Sequence, residues 1–277
     1  MPFTAAREAQ IVNLIRRAAR AEILPRFRAL HESEIAAKTG PDDLVTEADT
    51  AAEAMIARGL AALFPEALIV GEEAAEADPA LADRIAEAEL SFIVDPVDGT
   101  WNFARGLPLF GVILAACRRG EPVWAMIHDP VCDDWITAAE DRPTRLERPG
   151  RPHRRLRMAP AREIAEMSGF VPLTLVPEDR RPAVAALLPE FRRATSLRCS
   201  AHEYRLLARG HADFCVGVDP KPWDHAAGVL ICRQAGGYTA FLDGAPYTAA
   251  RREGALLTAA SADGWARLAE RFAALAA

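Results

Sequence analysis

Long apolar runs are missing from this chain of 277 residues. Its longest uncharged stretch with an apolar bias, residues 106–117, falls well short of the roughly 20 residues that a membrane-spanning helix needs. Arg7 and Glu8 stand where a secretory signal would need its apolar segment, so a cytoplasmic protein with no membrane partner is expected. Positive charge is also short: 33 Lys and Arg against 39 Asp and Glu leave a formal charge of −6. No nucleic-acid partner is expected from such a balance. Cysteine is scarce, with five residues at wide, irregular gaps and no C-x-x-C. Neither a disulfide framework nor a zinc site is indicated, and buried free thiols are the preferred reading. Three signatures are absent as well: G-x-x-x-x-G-K-[ST], G-x-G-x-x-G and G-x-S-x-G. Nucleotide-driven kinases, dinucleotide oxidoreductases and serine hydrolases lose support accordingly.

The rest is the composition of a globular protein, with 51% hydrophobic and 26% charged residues, enough to bury a large core. Ile11, Leu14, Ile15, Ala18 and Ala21 repeat at helical spacing, which predicts an amphipathic helix from Thr4 that ends before Pro25. Thr46-Glu47-Ala48-Asp49 reads as a capping box with Asp at its fourth place, opening a second helix that runs to Pro65. Short apolar runs at 67–70, 91–94, 110–117, 123–128 and 135–138 read as strands, the last two as a hairpin. Residues 142–157 hold seven arginines and few apolar residues, and predict an exposed connection or loose hairpin between two lobes. Beyond it, strands at 194–199, 213–218, 237–242 and 255–258 alternate with helices at 201–209, 223–234 and 262–276. The expected architecture is therefore α+β in the first lobe (1–143) and α/β in the second (144–277).

Three acidic clusters fall at the ends of these elements: Gly71-Glu72-Glu73, Asp95-Pro96-Val97-Asp98-Gly99-Thr100 and Trp223-Asp224. Singly, each has a structural reading. Pro-Val-Asp-Gly is turn chemistry, Glu72 and Glu73 run on into an acidic surface with Glu76 and Asp78, and Asp224 suits a helix N-terminus. Jointly they say more. If Glu72, Asp95, Asp98 and Asp224 converge, their repulsion forbids common ionisation unless cations lie between them. An all-oxygen donor set favours Mg²⁺ over Zn²⁺ and leaves places for water and phosphate. Gly99 permits close backbone approach, and N–H groups of the following turn, from Gly99 and Thr100, could hold phosphate oxygens.

These three motifs, with Lys38 and the segment Asp42-Asp43-Leu44-Val45-Thr46-Glu47-Ala48-Asp49, resemble in order and spacing the signatures of the inositol monophosphatase family of Mg²⁺-dependent, lithium-sensitive phosphatases. The resemblance implies a two-lobed sugar-phosphatase fold of alternating helix and sheet layers (αβαβα), usually a homodimer, with two or three Mg²⁺ ions between the lobes. By position it implies Glu72, Glu73, Asp95, the Val97 carbonyl, Asp98 and Asp224 as metal ligands, with Lys38 close to the metals and their water. It implies Asp49 and Thr100 as the pair that orients and deprotonates the attacking water, with Glu72 also catalytic. An Asp98→Asn change is expected to abolish hydrolysis and leave the fold intact.

Departures from the family pattern bear on substrate. Cys199 replaces a glycine in a loop where Arg198, Ser200 and Ala201 are candidate substrate contacts together with Asp98, Lys221 and Asp224. Gly217 replaces an acid that binds ring hydroxyls in inositol-selective members, which weakens the case for myo-inositol. Arg198 and Lys221 offer cations for a second anion or remain solvated. Trp101 stands where the family often has Thr and is expected to pack beyond the phosphate contacts. His225 is read as structural, and His202 and Glu203 as helix residues. The expected activity is hydrolysis of a small polyol or sugar phosphate, with fructose 1,6-bisphosphate, histidinol phosphate or a nucleotide 3′-phosphate as alternatives. A second class of function, binding to RNA or transcription machinery through residues 142–157, is implied by other members of the family; a solvated face is the preferred reading of that run.

Overall fold

The computed structural model describes residues 3–276. The Thr4 hydroxyl accepts from Arg7 N, and α1 (Ala5–Ala18) buries Ile11, Leu14, Ile15 and Ala18 on one side. A wider helical turn, Ala19–Ile23, carries the helix on toward Pro25. Next comes a hairpin that the sequence did not announce, β1 (Ile35–Gly40) and β2 (Asp43–Thr46), whose short strands lack a strong apolar alternation. It runs directly into α2 (Glu47–Leu63), which buries Ala48, Ala52, Ile56 and Leu60.

Seven strands follow in spatial order as in sequence: β3 (Leu68–Gly71), β4 (Ser91–Asp98), β5 (Gly111–Arg118), β6 (Glu121–Asp129), β7 (Asp134–Ala139), β8 (Arg142–Arg148) and β9 (Arg151–Arg155). Only β3 and β4 pair in parallel; the other pairings are antiparallel. Short helices α3 (Glu72–Ala77) and α4 (Ala80–Asp83) lie between β3 and β4, and α5 (Thr100–Ala104) follows β4. Residues 142–157 are thus no loose link. They build a hairpin onto the sheet, so the expected lobe boundary at 143/144 falls inside β8 and the sheet continues to Arg155. Thr144 and Leu146 explain the difference: they point inward on alternate positions and are buried, a signal diluted by the surrounding arginines.

The second half carries β10 (Ser168–Phe170), α6 (Arg181–Leu187), β11 (Arg193–Thr195), α7 (Ser200–Ala208), β12 (Phe214–Gly217), α8 (Pro222–Gln234), β13 (Tyr238–Phe241), β14 (Leu256–Ala259) and α9 (Ala262–Arg271). Its five-stranded sheet has the order β11-β10-β12-β14-β13, parallel over the first three and antiparallel beyond. The strand expected over 194–199 stops at Thr195, since the chain turns through Arg198 with φ of 52°. The last helix ends at Arg271, and a single 3₁₀ turn, Ala273–Leu275, completes the expected 262–276 segment.

Period-two alternation fixes the layers. Phe92, Val94, Val112, Leu114 and Met126 face α1 and α2, whereas Ile93, Ile113, Ala115 and Ile127 face α7 and α8. In the smaller sheet Cys215 and Leu256 join that same helical layer, while Phe214, Val216 and Leu257 meet α6 and α9. Helix, sheet, helix, sheet and helix therefore stack in the αβαβα order. No helix among the described residues is long and apolar enough to cross a membrane.

Candidate active site

Asp49 is placed by local chemistry. Its Oδ2 accepts from Thr46 N at 2.8 Å and from the Thr46 hydroxyl at 2.6 Å, closing the capping box of α2. Its other oxygen, Oδ1, lies 3.1 Å from the Thr100 hydroxyl, which is also 3.0 Å from the Val97 carbonyl. The cap and the site thus share one carboxylate. Burial holds the Asp49 carboxyl up at about 6, against the hydrogen bonds from Thr46 and Thr100 that favour its charge.

Asp95 and Asp98 stand on β4 across a register shift, pairing with Ile113 and Gly111 respectively. Pro96 sits inside that irregularity, where a central strand tolerates proline. Gly99 turns the chain with φ of 88°, and a Cβ there would lie 2.7 Å from the Leu109 carbonyl, so no other residue fits this turn without strain. On the far side of the cleft, α8 delivers Asp224 in its first turn. Carboxylate oxygens of Asp95, Asp98 and Asp224 all lie within 4.8 Å of one another.

Asp98 is held firmly. Ser200 N donates to its Oδ1 at 3.1 Å, while Ala201 N and the Cys199 thiol donate to Oδ2 at 2.6 and 2.9 Å. Ala201 is fully buried and its N–H is spent on Asp98, so it supports that side chain. An asparagine at 98 would turn its amide toward one of these donors, so the substitution would disturb the 199–201 loop as well as the chemistry.

Glu72, Glu73 and Glu76 form a second carboxylate group at the start of α3. Lys38 of β1 reaches all three, at 3.3 Å from Glu72, 2.8 Å from Glu73 and 2.6 Å from Glu76. Burial opposes the charge of Lys38, yet the carboxylates beside it, Glu72 foremost, raise its pKa. Glu76, read from sequence as acidic surface, belongs to this cluster. Lys221 also leans toward Glu76, at 3.4 Å, and is not among the residues lining the cleft. Glu53 was not singled out by sequence; its carboxylate accepts from Glu73 N at 2.9 Å and Ala74 N at 3.0 Å, capping the segment that carries Glu72. An acid one turn after Asp49 on the same helix was the available signal.

Burial pushes the carboxyls of Glu72, Glu73, Asp95, Asp98 and Asp224 upward. Burial raises Glu72 and Glu73 to about 7, with Lys38 opposing and neighbouring acids adding. Burial, then the charge of Glu72, lifts Asp95 well above its ordinary value; burial, then Asp98, does the same for Asp224. Asp98 is also raised by burial, against the donors from its loop. Buried, mutually repelling oxygen donors with so little cationic compensation fit a hard divalent cation.

A cavity of about 450 Å³ opens from these acids past Gly99, Thr100, Trp101, Arg198 and Ser200 to Leu175 and Val218. Gly217 lies in its wall, and a Cβ there would come 2.7 Å from the His225 ring. That ring is fixed by Tyr204 OH at Nδ1 (2.9 Å) and the Asp219 carbonyl at Nε2 (3.3 Å). Burial lowers the His225 pKa to about 4, so it is neutral and structural. Glu203 braces the loop beneath, accepting from Leu197 N at 2.7 Å.

The model of the inositol monophosphatase family matches residues 6–276. The chain belongs to the inositol monophosphatase family. Membership makes it a phosphoric monoester hydrolase. It is 30% identical over 228 residues to the inositol-1-monophosphatase of Bacillus subtilis, covering 80% of this chain and 81% of the relative. It is 32% identical over 219 residues to the Nus factor SuhB of Vibrio cholerae, covering 75% and 76%. Among solved family structures, an inositol monophosphatase from Thermotoga maritima superposes with a TM-score of 0.75 at 25% identity, over 95% of this chain and 94% of that one.

Proposed function

We propose that this chain hydrolyses a small polyol or sugar phosphate with Mg²⁺ as cofactor. Glu72, Glu73, Asp95, the Val97 carbonyl, Asp98 and Asp224 would hold two or three ions, with Lys38 beside them. One observation carries the reading: the carboxylates of buried Asp95 and Asp98 and half-buried Asp224, all within 4.8 Å of one another, stand next to a buried Asp49 that lies 3.1 Å from the Thr100 hydroxyl. Bound there, Mg²⁺ supplies a lowered pKa for water and charge neutralisation for phosphate.

The chain's own groups do the rest. The Thr100 hydroxyl, within reach of both Asp49 Oδ1 and the Val97 carbonyl, hands a proton from the attacking water toward Asp49. An acid held near 6 by burial is ionised at neutral pH yet basic enough to receive it. Backbone N–H groups of Gly99 and Thr100 hold phosphate oxygens, and Ser200 faces the leaving group. With Gly217 where inositol-selective members carry the acid that binds ring hydroxyls, broad selectivity among monoesters is expected. The setting proposed is a cytoplasmic homodimer, in keeping with the family and with its free cysteines, four of them buried. Phosphate release from a panel of monoesters, with Mg²⁺ and then with EDTA, tests the reading; no Mg²⁺-dependent release from any member would refute it.

A second reading has its own observation. Among the described residues Arg145, Arg151, Arg154, Arg155 and Arg157 have no carboxylate within 4.0 Å, and Arg145 stands opposite Arg155 across β8 and β9. Like charges so placed repel, and a polyanion would relieve them. RNA retention that falls with salt and with neutralisation of these arginines supports it; retention unchanged by either excludes it.

A further inference from the structure

Among the described residues Cys199 is the cysteine that donates to a carboxylate proposed to hold metal. It is 3% exposed and stands just before α7 with an extended backbone, φ of −163° and ψ of 99°, so nothing in its backbone demands this residue or resists another. Its sulfur lies 2.9 Å from Asp98 Oδ2 and 3.6 Å from the Asp98 carbonyl, and the single thiol proton goes to the nearer, charged acceptor. The bare backbone of Gly99 makes room for it: a Cβ there would come 3.2 Å from Cys199 Cβ and 3.3 Å from its sulfur. The thiol is thus held between the start of α7 and the turn that follows Asp98.

A carboxylate has about four acceptor positions, shared equally between its oxygens. Among the described residues three donors reach Asp98. Oδ2 receives Ala201 N at 2.6 Å and the thiol at 2.9 Å and is full, whereas Oδ1 receives Ser200 N alone, at 3.1 Å, and keeps a position open. The two backbone donors come with the start of any helix; the thiol is the donor that depends on the side chain. With it, Asp98 has one oxygen to offer the gap it shares with Asp95 and Asp224. Without it, both oxygens have a place to give, and the carboxylate could close on one ion with the pair. That difference has a chemical consequence, because Ca²⁺ accepts carboxylates through both oxygens in a flexible shell, while the smaller Mg²⁺ keeps to near-octahedral geometry.

We propose that Cys199 is a positioning residue that makes the acids select Mg²⁺ over Ca²⁺, by filling Asp98 Oδ2 and leaving Oδ1 as the only oxygen of Asp98 open to an ion. The inference rests on the Mg²⁺ reading and deepens it: it concerns which dication the acids accept, not which ester is cleaved. Glycine, the residue that Cys199 replaces in the family pattern, brings no such donor.

The test reads metal binding rather than turnover. Electron paramagnetic resonance of free Mn²⁺ follows its binding to the full chain, and displacement by Mg²⁺ and by Ca²⁺ gives the ratio of the Kd for Ca²⁺ to the Kd for Mg²⁺. Cys199→Ala and Cys199→Gly should each lower that ratio by about three- to tenfold, while Cys199→Ser, which keeps a donor, should hold it within about twofold of the unchanged protein. A merely structural role would weaken both ions alike and leave the ratio where it was. Should Cys199→Ala fail to fold, as its calorimetric melt would show, Cys199→Gly carries the same comparison. A ratio unmoved by removal of the thiol, or one that falls as far with serine as with alanine, overturns the inference and leaves the Mg²⁺ reading in place. No saturable Mn²⁺ binding to the unchanged protein overturns that reading, and the inference with it.

Discussion

Replacing Asp95 by asparagine should make the protein more stable without metal and less stable with it. Asp95 is 2% exposed, and its carboxylate lies within 4.8 Å of those of Asp98 and Asp224. At that separation and an effective dielectric near 20, each ionised pair costs about 3 kcal/mol. The acids avoid part of this by keeping protons, so removing one charge should return about 1–3 kcal/mol, or roughly 2–5 °C in Tm for a chain of this size. Asparagine keeps an acceptor for Val97 N, now 3.0 Å from Asp95 Oδ1, so no hydrogen bond is forfeited. The pH dependence has a definite sign. Asp49 at about 6 and Glu72 and Glu73 at about 7 lie above their ordinary 3.8 and 4.5, so between roughly pH 4 and 7 the folded state binds more protons than the unfolded one. Metal-free stability must then fall as pH rises through that window. Differential scanning calorimetry in excess EDTA should show the variant melting above the unchanged protein near pH 8, with the gap closing near pH 5. Saturating Mg²⁺ should reverse the order. A variant that melts lower in EDTA near pH 8 would refute the reasoning.

Asp49→Asn should lower kcat by about 10²–10⁴ with little change in KM, because the amide still caps α2 but accepts no proton; steady-state kinetics showing a loss under tenfold would contradict this. Glu53→Gln should destabilise the fold by about 1–3 kcal/mol in urea, since its amide must face Glu73 N or Ala74 N, and should weaken Mg²⁺ binding measured by calorimetry. Gly217→Asp should lower stability by a similar amount, as its Cβ would press on His225 at 2.7 Å. It should not create a preference for inositol phosphate, and assays on that ester check the point.

The chemistry of the site was legible because its acids sit at element ends, where local rules already mark them. The capping box at Thr46 and Asp49 and the turn at Gly99 read the same way in sequence and structure. What escaped was carried by long-range packing. Glu53 looks like a surface acid of α2 until α3 is folded against it. Lys221 is separated from Glu76 by most of the chain, so their attraction is invisible to spacing. That the hairpin expected over 142–157 joins the main sheet was hidden because its inward positions are only Thr144 and Leu146, set among arginines. Trp101, expected merely to pack, became the platform for Arg198 only when the 196–200 loop folded over α5.

Crystals grown with Mn²⁺ in place of Mg²⁺ and measured at the manganese absorption edge address the central claim directly. Anomalous peaks should lie between Glu72 and Asp95 and among Asp95, Asp98 and Asp224. A cleft without such peaks at saturating Mn²⁺, or peaks only on the outer surface, would contradict it.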